Sequence, residues 1–273
     1  MCVPGCQETV REALSRRHLL RGGLAATGLA GSFVACRTDA APARTFNAAI
    51  DLTHVMSPEF PTFFGVPGIE LEKKFDFRKD GFNLYWWHLL EHAGTHLDAP
   101  IHFSESGVSA EQISTDTLVV PLAIIDVAAR AAEDSDYLLS RDDLSAWERR
   151  YGRLPENCCV AMHSGWARHV ADPAKFTGKD SAGVLHFPGF APEAAQWLVK
   201  ERNISGLAVD TLSLDHGPSK DFKVHYAWLP SGRWGLENVA NLDKVPPSGA
   251  TLVVGLAKVK GATGGPARLI ALV

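Results

Sequence analysis

The stretch His92-Ala93-Gly94-Thr95-His96-Leu97-Asp98-Ala99-Pro100-Ile101-His102 places three imidazoles and a carboxylate within eleven residues. Burying such groups together is costly unless a cation or hydrogen bonds compensate them. On a helix, at roughly 100° per residue, His92 and His96 would share a side while Asp98 pointed nearly opposite. Extended backbone puts residues of like parity on one face, and His92, His96, Asp98 and His102 are all even-numbered. Gly94 weakens a helix and Pro100 ends regular structure, so the stretch reads as a strand running into a loop. Two neutral imidazoles and a carboxylate, with no thiolate, suit zinc or manganese and leave coordination positions open to water. Open positions point to catalysis rather than to a structural zinc. Ordinary pocket histidines would account for one His pair, but not for four groups in register.

The chain around this stretch has 273 residues, 46% hydrophobic and 21% charged, enough for one full core. Its net charge of −4 hides an asymmetry. Residues 1 to 36 hold Arg11, Arg16, Arg17 and Arg21 against Glu8 and Glu12, a net of +2, which leaves −6 for the rest. An acidic body argues against nucleic acid or an anionic membrane as partner. Ser15-Arg16-Arg17-His18-Leu19-Leu20-Arg21 resembles the twin-arginine export consensus, and the uncharged run from Gly22 to Ala35 is too short to span a bilayer comfortably. The expected organisation is an export signal and cleavage region over residues 1–43 and a working domain over 44–273, delivered to a bacterial periplasm. Cleavage after Ala41-Pro42-Ala43 is favoured over a lipoprotein reading of Phe33-Val34-Ala35-Cys36. Adjacent Cys158 and Cys159 point to opposite faces of a strand and are poorly placed to bridge each other.

Aliphatic and β-branched runs at Leu118–Val127, Cys158–Met162, Gly206–Val209, Thr251–Val259 and Arg268–Val273 read as strands. Ser140 followed by Asp143 makes a capping-box-like helix start, and Pro192 opens a second helix that ends before Gly206. The fold class expected is α/β, a single domain with a curved mixed sheet or barrel-like core flanked by helices. Trp86 and Trp87 precede the metal motif on its strand and alternate faces, one expected in the core and one near the site.

The region from Val209 to Leu242 is the source for further ligands: Asp210, Asp215-His216-Gly217-Pro218, His225, and Leu236-Glu237-Asn238. With these residues the chain resembles the cyclase family of metal-dependent hydrolases, which includes bacterial kynurenine formamidase and isatin hydrolase. The likeness runs from Ile50-Asp51-Leu52-Thr53 and Ser57-Pro58-Glu59-Phe60-Pro61 through Ser164-Gly165-Trp166 to Gly264-Gly265-Pro266. It implies a swivelling β/β/α fold, His92, His96 and Asp98 as ligands of a first ion, and His102 as the acid/base. In formamidase-like members Asp98 would bridge to a second ion held by His225 and Glu237, whereas isatin-hydrolase-like members hold one manganese. The implied cofactor is therefore one or two Zn2+ or Mn2+ ions. Trp166 and Phe60 are the implied substrate-binding residues, with core filling as the other reading of Trp166.

The implied activity is hydrolysis of an amide-type C–N bond. An arylformamidase acting on N-formylkynurenine comes first, with isatin-hydrolase-like opening of a cyclic amide as the alternative. A periplasmic metal- or ligand-binding protein without turnover is the rival from another class, and His102 as a surplus base speaks against it. Trp228, Pro230, Arg233 and Trp234 are bulkier and more polar than the formamidase pattern, and Gly264-Gly265-Pro266 lies nearer the isatin-hydrolase side. Arg233 reads as a solvated loop residue or a partner for a substrate carboxylate. The resemblance also implies a small-molecule substrate and a homo-oligomer, dimer or tetramer.

Overall fold

Alternation of apolar side chains along the strands sorts the core into an inner and an outer layer. The computed structural model describes residues 45–273, so the export-signal reading of residues 1–43 lies outside the described residues. The strands are β1 (Ala49–Asp51), β2 (Ile69–Phe75), β3 (Leu84–Leu89), β4 (His96–Asp98), β5 (Val119–Asp126), β6 (Leu138–Leu139), β7 (Cys158–His163), β8 (Gly189–Phe190), β9 (Ile204–Val209), β10 (Trp234–Glu237), β11 (Ala250–Leu256) and β12 (Gly264–Leu272). The main sheet runs β1-β12-β11-β5-β7-β9-β10-β4, and β4 also pairs with β12. That last pairing closes seven strands into a mixed barrel, parallel through β5, β7, β9 and β10 and antiparallel elsewhere.

The barrel interior takes one residue in two from each strand. Leu97, Val120, Leu122, Ile124, Leu236, Leu252 and Leu269 pack there with the small side chains of Cys159, Ala161, Ala208 and Ala271. Small residues beside large ones let a narrow ring close without voids. The other faces of β5, β7 and β9 carry Ala123, Ile125, Val160, Met162, Leu207 and Val209, which form the outer layer with the helices. Cys158 lies in the outer layer and Cys159 in the inner, both as free thiols.

Two outer helices follow the local signals. The Arg141–Tyr151 helix starts at a capping box, with the Asp143 amide donating to Ser140 Oγ and the Ser140 amide donating to the Asp143 carboxylate, and it buries Leu144 and Trp147. The Pro192–Glu201 helix has Pro192 in its first turn and buries Ala194, Ala195 and Leu198.

Two expectations change. Only His96–Asp98 of the opening stretch is strand; Gly94 turns at φ 65°, and Pro100–Phe103 forms a 3-10 turn. Trp86 and Trp87 sit on β3, which among the described residues pairs only with β2, and they are 59% and 68% exposed, so neither belongs to the core.

Candidate metal centre

Strand β4 is held on both sides, by β10 and β12, and this double pairing builds the site. Leu97 faces Leu236 inside the barrel, so the alternate residues must face out: His96 opposite Glu237, and Asp98 opposite Gly235. In the other direction Asp98 is in register with Gly264. A Cβ on Gly264 would lie 2.3 Å from the Leu97 carbonyl oxygen and 2.6 Å from His92 Cε1, so no larger residue fits beside the site there. The turn at Gly94 folds His92 back until its Nδ1 lies 2.6 Å from Asp98 Oδ1. The same Gly94 carbonyl accepts from His96 Nδ1 at 2.9 Å, which leaves His96 Nε2 facing Asp98 Oδ1 at 3.3 Å and Glu237 Oε2 at 3.2 Å. His225 enters from the Lys223–Trp228 helix, anchored in the outer layer by Val224 and Trp228. Its Nε2 lies 3.2 Å from Glu237 Oε1 and 3.6 Å from Asp98 Oδ2.

The result is two groups of possible ligands that share one carboxylate: His92, His96 and Asp98, and Asp98, His225 and Glu237. His96, Asp98, His225 and Glu237 are each at most 5% exposed. Although His96 Nε2 has carboxylate oxygens nearby, it makes no aligned hydrogen bond, and Asp98 Oδ2 likewise has no partner. Two carboxylates buried this closely require positive charge between them. Without an ion, imidazole protons supply it. Burial works against a charged His96, but the adjacent carboxylates of Asp98 and Glu237 outweigh it and raise the group to about 10. His225 is likewise held protonated by Asp215, Asp98 and Glu237 against the cost of burial. A divalent ion would replace these protons, and a set of imidazoles and carboxylates without thiolate fits zinc or manganese.

The imidazoles are themselves held. The Asp215 carboxylate accepts from the amides of Val224 and His225 at 2.9 and 3.1 Å and from His225 Nδ1 at 2.7 Å. His92 Nε2 lies 2.9 Å from Thr263 Oγ1, whose hydroxyl donates to Glu91. The outlying imidazoles are thus oriented from outside the cluster, His225 by a carboxylate and His92 by a hydroxyl that a carboxylate holds, an arrangement that fixes the ring and its free nitrogen. Asp215→Asn keeps the size but removes the charge behind His225. The expected outcome is a metal affinity lower by roughly 10- to 100-fold in a chelator competition titration, and an unchanged affinity would show that Asp215 does not orient the ligand.

A cavity of about 260 Å³ opens onto the cluster. His92, His102, His225 and Glu237 contribute to its lining from the cluster, joined by Phe63, Phe64, Phe103 and Phe222 and by the smaller Thr62, Leu212, Ser213 and Asn238. His102 stacks on His92 at 3.7 Å between ring centres, and burial pushes it down to about 4. Phe222 has φ 47°, unusual for a bulky residue and costly by roughly 1–2 kcal/mol. Phe63, Phe103 and His225 surround its ring and hold it there.

Of the expected site residues, His92, His96, Asp98, His102, His225 and Glu237 come together. Trp166 and Phe60 do not line the cavity. Trp166 packs with Phe176, Phe187 and Leu212 and donates its Nε1 hydrogen to the Phe176 carbonyl; Phe60 lies against His54 and Phe176. Arg233 is also elsewhere, bonded to the carbonyls of Ile204 and Val199. The aromatic walls were missed, although Phe103 directly follows His102 and Phe222 lies three positions before His225.

The Cyclase family model matches residues 50–216, which span β1 through the loop that carries Asp215. The chain belongs to the Cyclase family. Among curated relatives, isatin hydrolase from Roseibium aggregatum is 33% identical over 242 residues, covering 82% of this chain and 91% of that protein. Kynurenine formamidase from Salinibacter ruber is 24% identical over 225 residues, covering 82% of this chain and 96% of that protein. Among solved structures, isatin hydrolase A from Ralstonia solanacearum superposes with a TM-score of 0.78 at 34% identity, covering 83% of this chain and 92% of that one. Within this Cyclase-family fold the two groups of possible ligands and the aromatic cavity occupy one continuous site.

Proposed function

We propose that the chain is a metal-dependent hydrolase that opens an uncharged aryl lactam of the isatin type. The observation that carries this reading is the cavity itself, walled by four phenylalanines, seated on the ligand cluster and lined by no Arg or Lys. An amino-acid substrate such as N-formylkynurenine brings a carboxylate and an ammonium that this wall does not match. A flat neutral bicycle needs only apolar contact and a polarised carbonyl. The similarity to isatin hydrolases supports the same choice over the arylformamidase placed first from sequence.

In the proposed reaction the hydroxyl of water joins the amide carbonyl carbon, the C–N bond breaks, and the ring nitrogen leaves as an aniline with the proton that water gave up. Zn2+ or Mn2+ bound at the cluster would supply the Lewis acidity that makes water nucleophilic at neutral pH. His102 faces the cavity from outside both ligand groups and carries the proton from water to the leaving nitrogen. The phenylalanine walls exclude bulk water and set the plane of the substrate ring. His92, held by Thr263, supports the stacked His102 ring from behind.

One observation favours the formamidase reading as second. Asp98, His225 and Glu237 form a complete second ligand group, as expected for a two-ion centre. Metal-loaded protein incubated with isatin and with N-formylkynurenine decides between them. The expected kcat/KM is larger for isatin by roughly 10²-fold, since unmatched charges are strongly rejected by an apolar wall. The reverse preference would establish the formamidase reading, and turnover of neither would leave a binding protein.

A further inference from the structure

Asn238 directly follows Glu237, the last residue of β10, and is 2% exposed. Three of its four polar groups are committed. The amide donates to the Thr211 carbonyl at 2.9 Å, the carbonyl accepts from Thr95 Oγ1 at 2.6 Å, and Nδ2 donates to the Gly94 carbonyl at 2.9 Å. Its φ of 55° is one that Asn tolerates better than most side chains. Oδ1 alone is buried without a partner.

Turning the side-chain amide over does not cure this. The Gly94 carbonyl that holds Nδ2 also accepts from His96 Nδ1, and a reversed amide would set two carbonyl oxygens against each other. The orientation is therefore fixed, and it leaves a buried acceptor unpaired. Such an atom costs stability and calls for a reason. Asn238 belongs to the lining of the cavity, and by sharing the Gly94 carbonyl with His96 it stands beside the cluster. Elsewhere on the wall the Thr62 hydroxyl donates to the Val66 carbonyl, and the Ser213 hydroxyl can both donate and accept, so it selects for neither. A carbonyl oxygen can only accept, and so it reads a donor.

We propose that Asn238 Oδ1 accepts the hydrogen bond of the lactam N–H and thereby restricts the site to secondary amides. The inference rests on the lactam reading above. In a lactam the N–H is one bond from the carbonyl carbon that water attacks, so an acceptor beside the cluster falls beside that hydrogen. The N–H lies in the plane of the ring and the nitrogen lone pair stands across it, which lets Oδ1 hold the one while His102 reaches the other. When the C–N bond breaks, its electron pair passes to nitrogen, which keeps its first hydrogen on Oδ1 and takes its second from His102. An N-alkylated lactam has no hydrogen to offer and leaves Oδ1 buried and unpaired, the situation in which a polar site rejects an analogue most strongly.

Metal-loaded protein assayed with isatin and with N-methylisatin tests this. For the unaltered protein, kcat/KM is expected to be larger for isatin by about 10²-fold or more. Asn238→Gly accommodates the same positive φ and removes the acceptor. At equal metal content it is expected to lower kcat/KM for isatin by about 10²-fold and to move that for N-methylisatin by less than about 3-fold, so that the preference disappears. Three results overturn the proposal and leave the lactam reading standing. One is comparable turnover of both compounds by the unaltered protein, which requires no folded variant. Another is an equal fall for both compounds in Asn238→Gly, the mark of a residue that only braces the Gly94 turn. The third is a rise for N-methylisatin with isatin unmoved, the mark of a residue that only fills space. Turnover of neither compound by the unaltered protein with its ion in place overturns the lactam reading and this inference together.

Discussion

Asp98→Ala is expected to strip the bound ion and lower turnover by about 10³-fold or more. Asp98 is the carboxylate common to both ligand groups, so its removal damages both, whereas loss of His92 or Glu237 leaves one intact. The scale follows from the several kcal/mol that a Lewis acid contributes to stabilising charge in the transition state, at 1.36 kcal/mol per factor of ten. The fold should survive, because the Asp98 side chain bonds His92 and approaches His96 and His225 without holding any backbone amide. Elemental analysis and circular dichroism of the purified variant check both halves of the statement. Full metal occupancy in Asp98→Ala would remove the cluster as the metal centre.

His102→Asn should behave differently: metal content unchanged and turnover lower by roughly 10²- to 10⁴-fold, the usual loss when a positioned acid/base is removed. The distinction rests on geometry, since His102 belongs to neither ligand group yet faces the cavity beside His92. Loss of metal in this variant would make His102 a ligand. Unchanged turnover would leave the proton without its carrier. Measuring kcat and KM separately matters here, because a residue that only shaped the cavity would move KM first.

Much of the site was legible because it rests on local rules. Parity placed His96 and Asp98 on one face of β4, and the capping box at Ser140 and the proline at Pro192 marked two helices. Resemblance, rather than periodicity, supplied His225 and Glu237. Other features depend on contacts between distant segments, which no local pattern encodes. Asp215 is separated by ten positions from the ring it orients, and Thr263 by 171 from His92. Parity also failed for His92 and His102, which reach the cluster through a glycine turn and a 3-10 turn rather than along a strand. The error over Trp86 and Trp87 had a physical source as well: alternation tells which residues share a face, not whether anything covers it.

The closure of the barrel by β4 sets an order of events during synthesis. This three-residue strand is made early, but both of its neighbours, β10 and β12, lie near the end of the chain. While the first two hundred residues emerge, His92, His96 and Asp98 have no Glu237 to face and no glycine pocket at Gly264 to sit in. The ligands become a centre only when the last stave is in place. An ion bound at the cluster would therefore report the arrival of β12, and it would draw the equilibrium toward the closed ring by mass action. A chain truncated before β12 would keep the whole opening motif in its sequence and still lack the wall that makes those side chains a trap for metal.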